Sequence, residues 1–216
     1  MKGPHPMTGV SARCEAFSDG VFAIAITLLI LEIRVPHVEH GLWAGLVALW
    51  PSYLAFLLSF VVILMMWVNH HELLRMVRAV NYPFLFANGL LLLTVTFVPF
   101  PTAVLAEHLT SPEAKTAVAF YCATFVVNSL VWNLLLSTIV RNGLLRDEIS
   151  AETVARVRKA YYWSLFIYLV STIVALIQPA LGLLLNASLW ILWIRLGYRR
   201  ADTSGSGSLG SGATEP

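Results

Sequence analysis

Residues 13–34 read Arg-Cys-Glu-Ala-Phe-Ser-Asp-Gly-Val-Phe-Ala-Ile-Ala-Ile-Thr-Leu-Leu-Ile-Leu-Glu-Ile-Arg, a charged helix entrance joined directly to an apolar run. Ser18 and Asp19 are expected to open this helix, satisfying its orphan backbone donors and setting a carboxylate at the positive end of its dipole. From Val21 onward the run carries one hydroxyl, Thr27, before it closes on Glu32-Ile33-Arg34. A cleavable leader has a basic start, a short apolar core and a small-residue cleavage site. A run that begins on Asp19 and ends on Glu32 and Arg34 has a different layout, and reads as a retained membrane span.

Composition extends that reading to the whole chain. Of 216 residues, 58% are hydrophobic and 12% charged, against about 25% charged in ordinary soluble domains. The chain therefore reads as an all-α integral membrane protein. Its net charge of +2 gives no reason to propose nucleic acid as a partner. Cys14 and Cys122 lie in separate segments and read as unpaired small residues, not as a disulfide or a metal site.

A helix needs about 20 mostly apolar residues to cross the hydrocarbon core, and six windows meet that requirement: 18–35, 43–68, 83–105, 114–140, 160–178 and 180–198. Gln178-Pro179 divides the last two, because proline removes a backbone donor and disfavours helix at the preceding residue. Ser111-Pro112-Glu113 reads as a start signal for the fourth helix and Ser150 as a cap for the fifth, which begins with the basic stretch 151–159. Trp43 with Trp50, Tyr161-Tyr162-Trp163, and Trp193 with Tyr198 fall at window ends, as interfacial aromatic belts do. Sorted by connection, 12 of the 14 Lys and Arg fall on one side, and only Arg34 and Lys115 on the other. Both termini and the 69–82 and 141–159 connections are accordingly expected in the cytoplasm. Residues 1–200 form the membrane domain in this reading, and 201–216 a flexible Gly/Ser-rich tail.

The pattern Arg13-x-x-x-Phe17-Ser18-Asp19, followed by Ala23-Ile24-Ala25-Ile26-Thr27-Leu28-Leu29, resembles the signature of the transmembrane protein 175 family of potassium channels. The resemblance implies a prokaryotic member with one six-helix unit per chain and a homotetramer whose central pore is lined by the first helix. Positions three and four apart share a helix face, so Phe17, Gly20, Ile24, Thr27, Leu28 and Leu31 form one stripe. The other faces are also apolar, and hydropathy alone leaves open whether the stripe packs between helices or lines a pore. Carried over by motif position, Ile24 matches the narrowest hydrophobic ring, with Leu28 and Leu31 above it on the same face. Thr27 matches the residue linked to ion preference. Such a ring gates by dewetting, since side chains close enough to expel water impose a dehydration barrier.

Ordinary potassium channels coordinate the ion with carbonyls of a Thr-Val-Gly-Tyr-Gly run. Thr94-Val95-Thr96 lacks that continuation, so potassium preference is expected to be modest and to rest on hydroxyls such as Thr27. Asp19 is costly at membrane depth unless paired, and topology sets Trp67, Asn69, His70 and His71 at the same depth. An inner-end polar network of Arg13, Phe17, Ser18, Asp19, Trp67, His70 and His71 is the expectation. His70 and His71 are consecutive on a helix and diverge by about 100°, which argues against a metal site. Histidines also titrate near neutral pH, leaving proton sensitivity open. In the fourth helix Asn128, Ser129, Asn133, Ser137 and Thr138 read as interhelical hydrogen-bonding groups.

No nucleophile-base-carboxylate set, metal-ligand cluster or phosphate-cradling loop stands out, so neither an enzyme nor a cofactor is expected. The reading is a passive, potassium-preferring cation channel of a prokaryotic plasma membrane, surrounded by lipid and permeant monovalent cations. The alternative is a proton-coupled or small-substrate transporter. Transporters often break their helices near the bilayer midplane, whereas the breaks at Pro99-Pro101 and Gln178-Pro179 fall near span ends.

Overall fold

The computed structural model describes residues 8–36 and 41–189. Among them the protein is helical, with no strand beyond an isolated bridge between Val77 and Leu145. The helices are α1 (Thr8–Leu28), α2 (Leu42–Ala48), α3 (Trp50–Arg75), α4 (Tyr82–Thr96), α5 (Pro99–His108), α6 (Ala114–Arg141), α7 (Ala151–Ile177) and α8 (Pro179–Leu189). Five stretches are long and apolar enough to cross a membrane: Ser11–Glu32, Trp50–Arg75, Tyr82–His108, Ala114–Arg141 and Ala151–Ile177. The expected sixth span, 180–198, is represented by the apolar helix α8 as far as Leu189. Its remainder and the tail at 201–216 lie outside the described residues.

Two boundaries differ from the sequence reading. α1 begins at Thr8, ten residues before Ser18, and continues beyond Leu28 as a tighter 3-10 turn, Leu29–Glu32. Ser18 and Asp19 are therefore inside the helix and do not cap it. No strong helix breaker lies between Ser11 and Phe17, and Cys14 is buried, holding this turn against the bundle. The window at 43–68 splits at Leu49 into α2 and α3, because Pro51 starts a new helix in the first turn, where its missing N–H costs least. α3 then runs on to Arg75. The Pro99-Pro101 pair bends the third span between α4 and α5 without ending it; Val98 turns back to the Val95 carbonyl at 3.1 Å, and the helix resumes through His108.

The expected cap is in place at the head of α7, whereas α6 starts from Glu113 with no side-chain cap. Ser150 accepts the Thr153 N–H at 3.2 Å at the head of α7. Before α6, Ser111 Oγ accepts the Glu113 N–H at 3.1 Å. α6 ends in a Schellman turn, with the Leu144 N–H on the Ile139 carbonyl and the Gly143 N–H on Val140. Gly143 takes φ of 61° there, a left-handed conformation that a side chain would penalise. That turn docks on the end of α3: the Arg78 N–H bonds the Leu144 carbonyl and the Arg146 N–H the Met76 carbonyl, both at 2.9 Å. The Arg78 guanidinium adds a bond to the Gly143 carbonyl at 3.0 Å, a cation at the negative end of a helix dipole.

Packing follows from the small and polar side chains at the interfaces. α6 lies at the centre, against α4, α5 and α7, while α1 packs on α3 and α4. Ser59 of α3 bonds Thr102 of α5 at 2.6 Å and Tyr121 of α6 at 3.0 Å. Asn128 reaches Thr94 across α6 and α4 at 2.7 Å, and Ser129 faces Ser164 of α7. Asn133 and Thr138 bond carbonyls of their own helix instead. Each interhelical bond of this kind contributes roughly 0.6 kcal/mol in a bilayer, so they set register more than they supply stability. The remaining cohesion comes from close packing of Phe84, Leu91, Phe125, Leu135 and their neighbours.

Candidate functional site

α1 has two faces that differ sharply. Cys14, Ser18, Phe22, Ala25 and Leu29 recur every three or four residues and are buried against α3 and α4. The opposite stripe is uncovered: Phe17 is 65% exposed, Ile24 58%, Leu28 42% and Leu31 71%. Thr27 and Gly20 lie on that exposed side. The Thr27 hydroxyl donates to the Ile24 carbonyl at 2.9 Å, which leaves the acceptor capacity of its oxygen unused by that bond. In a single chain, then, all four large apolar side chains of the stripe lack a covering partner.

At the Arg13 end of α1 two polar groupings stand back to back. The buried one is centred on Asn88 of α4. Its amide nitrogen donates to Ser18 Oγ at 3.0 Å and to Cys14 Sγ at 3.6 Å, and Ser18 in turn donates to the Cys14 carbonyl at 2.8 Å. With the amide nitrogen so placed, the Asn88 carbonyl oxygen accepts from His70 Nε2 at 2.8 Å. His70 lies between Phe22 and Trp132, at ring-centroid distances of 5.4 and 6.2 Å. The Ser18 hydroxyl thus uses its donor and an acceptor site, and three helices meet on one carboxamide.

The second grouping lies at the surface of the same turns. Trp67 Nε1 donates to Asp19 Oδ1 at 2.9 Å, and His71 Nδ1 lies 3.4 Å from Glu15 Oε1. The rings of Trp67 and His71 are 6.3 Å apart. Asp19 and Glu15 are one turn apart on α1, as are Trp67 and His71 on α3, so two rungs cross between the helices.

The structure brings together Ser18 with His70, through Asn88, and Asp19 with Trp67. His70 and His71 point into different groupings, and no cluster of three metal-ligating side chains occurs among the described residues. Arg13 and Phe17 stand apart: Phe17 belongs to the exposed stripe, and Arg13 is exposed without a hydrogen bond or ion pair to a described residue. Sequence reasoning missed Glu15, Cys14 and the role of Asn88. The signal for Asn88 was available, since it is the lone carboxamide in a largely apolar helix and a buried amide demands partners.

The polar groupings and the exposed stripe all fall within residues 13–99, the segment matched by the family model of the endosomal/lysosomal potassium channel TMEM175. A potassium channel of Chamaesiphon minutus is 48% identical over 171 residues, spanning 77% of this chain and 84% of that protein. A potassium channel of Streptomyces collinus is 49% identical over 140 residues, 63% of this chain and 68% of that one. The chain belongs to the TMEM175 family. The crystal structure of a lysosomal potassium-selective channel TMEM175 homolog from Chamaesiphon minutus superimposes with a TM-score of 0.78 at 42% identity, covering 88% of this chain and 99% of that one. The TMEM175 fold thus extends past the segment matched by the family model into α6 and α7, and the protein is a multi-pass membrane protein.

Proposed function

We propose that this chain forms a homotetrameric, potassium-preferring cation channel in a prokaryotic plasma membrane, conducting passively along an axis lined by four copies of α1. The observation that carries the reading is the stripe of Phe17, Ile24, Leu28 and Leu31, exposed on a helix whose other face is fully packed. Four such stripes around an axis cover one another and enclose a path. Membership of a family described as potassium channels supports the choice of ion.

In this reading Ile24 forms the narrowest ring, and Leu28 and Leu31 extend the apolar lining. Water leaves so narrow a greasy passage, so an ion meets a dehydration barrier that falls when the ring widens. Thr27, with the spare acceptor capacity of its oxygen one turn from Ile24, offers the ion partial compensation and a modest preference for potassium. Asn88, Ser18 and His70 hold the inner end of α1 in register, and Asp19 with Trp67 ties it to α3. Arg13 and Phe17 sit at the inner mouth, beneath the ring. Both termini face the cytoplasm, following the bias of the basic residues, and conduction uses no cofactor.

Purified protein in liposomes tests the proposal. A potassium gradient alone should drive flux that reverses with the gradient, and Ile24→Asn should raise leak by hydrating the ring. If substitutions at Ile24, Thr27, Leu28 and Leu31 all leave conductance and selectivity unchanged, α1 does not line the path.

A further inference from the structure

We propose that the exposed basic and aromatic face at the start of α7 binds the phosphate-bearing headgroup of an anionic phospholipid. Ala155, Arg158, Lys159, Tyr162, Trp163 and Phe166 line an open recess of about 570 Å³. They recur at helical spacing on one side of α7, whose other side, with Val154, Val157, Tyr161 and Ser164, is buried. The inference uses only the placement of α7 as a membrane span, and stands apart from what α1 conducts.

Charge points to the occupant. Arg156, on the same turns, is paired with Glu152 at 3.2 Å. Arg158 and Lys159 are exposed and have no carboxylate partner among the described residues. Arg158 and Lys159 diverge on the helix but their long side chains both line the recess, so a guanidinium fork and an ammonium can meet the oxygens of one phosphate from two sides. Tyr162 and Trp163, both about half exposed, add a hydroxyl and an indole N–H roughly 5–7 Å further along the helix, at its rise of about 1.5 Å per residue. That order, cations outermost and aromatic rings next, is the order of the membrane interface. Beyond them Phe166, Leu169 and Ile173 continue the same exposed face, an apolar track for an acyl chain. A soluble acidic protein would match the cations and leave that track uncovered, whereas a lipid matches both.

The test uses the full chain purified from bilayers of equal phosphatidylcholine and phosphatidylglycerol, with retained lipid counted by native mass spectrometry. The unsubstituted chain should retain phosphatidylglycerol preferentially. The pair Arg158→Gln with Lys159→Gln should lower that retention by about thirtyfold, while Arg156→Gln leaves it in place and soluble glycerol phosphate fails to displace the lipid. Equal retention of the two lipids by the unsubstituted chain overturns the proposal, whatever the variants do. So does a double variant that retains as much phosphatidylglycerol as the parent, the outcome expected if a neighbouring copy of the chain covers this face. Displacement by glycerol phosphate, marking a free-phosphate site, overturns it as well.

Discussion

The indole of Trp67 on α3 donates to the carboxylate of Asp19 on α1 at 2.9 Å, one turn from the contact between His71 and Glu15. This relationship ties one turn of α1 to one turn of α3. A helix held only by apolar packing on α3 and α4 can rotate by fractions of a turn at modest cost, whereas a directional bond to a charged acceptor has one optimum. Rotation decides whether Ile24 or Ala25 faces outward, and the bond adds a directional restraint to the packing of Phe22, Ala25 and Leu29 that buries the other face.

Trp67→Phe keeps the ring packing and removes only the N–H. The bond is exposed, so its loss should cost about 1 kcal/mol, read as a fall of a few degrees in the thermal unfolding of the purified protein. Asp19→Asn, which retains an acceptor oxygen, should cost less. Recordings should show a larger effect of Trp67→Phe on open probability than its stability cost implies. Unchanged stability and conductance in both variants would make the bond incidental.

Asn88→Leu tests the buried grouping. It strands the His70 Nε2 donor among Phe22 and Trp132 and removes the donor to Ser18. An unsatisfied buried group costs about 1–3 kcal/mol, so the variant should unfold earlier than any single surface change. Replacing both partners by apolar groups is far milder. The double variant Asn88→Leu with His70→Phe should therefore regain part of the loss, and a double-mutant cycle measures the coupling. Additive losses would show that the two side chains do not act together.

Much of this architecture is legible in the residues, for identifiable reasons. Hydropathy, Gln178-Pro179 and Ser150 mark spans and a cap because lipid leaves backbone groups no partners but their own. Ser18-Asp19 misleads because a cap signature and a polar pair inside a helix look alike in sequence. Only tertiary partners, Trp67 and Asn88, distinguish them. The face of α1 is illegible for a related reason: every side of it is apolar, and burial of Phe22 and Leu29 is decided by where α3 and α4 lie. Pro51 is visible in the sequence, yet 43–68 reads as one apolar window, since hydropathy does not register a break between two apolar helices.

The two faces of α1 should respond oppositely to a change in size. Ala25 is fully buried, and Ala25→Leu inserts three carbons into a packed interface at a cost of about 1–3 kcal/mol. Yield and thermal stability should fall with little change in the conductance of the protein that assembles. Ile24→Ala, on the exposed side, should leave yield nearly unchanged and raise potassium leak in liposomes. The reverse assignment, with Ile24→Ala unfolding the protein and Ala25→Leu altering conductance, would mean that α1 presents its other face to the pore.

The approach of α8 to α7 sets the last prediction. A Cβ placed on Gly182 would sit 2.6 Å from the Ala175 Cβ and 2.8 Å from its Cα, closer than real contacts allow. Backbone cannot yield as a side-chain tip can, so the helices must separate, and the Ser171 hydroxyl, now 2.7 Å from the Gly182 carbonyl, loses its acceptor. Helix pairs in membranes depend on such small-residue contacts, because lipid supplies no hydrophobic force to press them together. Gly182→Val should therefore lower thermal stability by at least the 1–3 kcal/mol of ordinary overpacking. Adding Ala175→Gly removes the Cβ but leaves the Cα, so rescue should be partial. Full rescue would locate the clash in the Ala175 methyl alone, and an unchanged Gly182→Val would show that α7 and α8 do not pack this closely in the membrane.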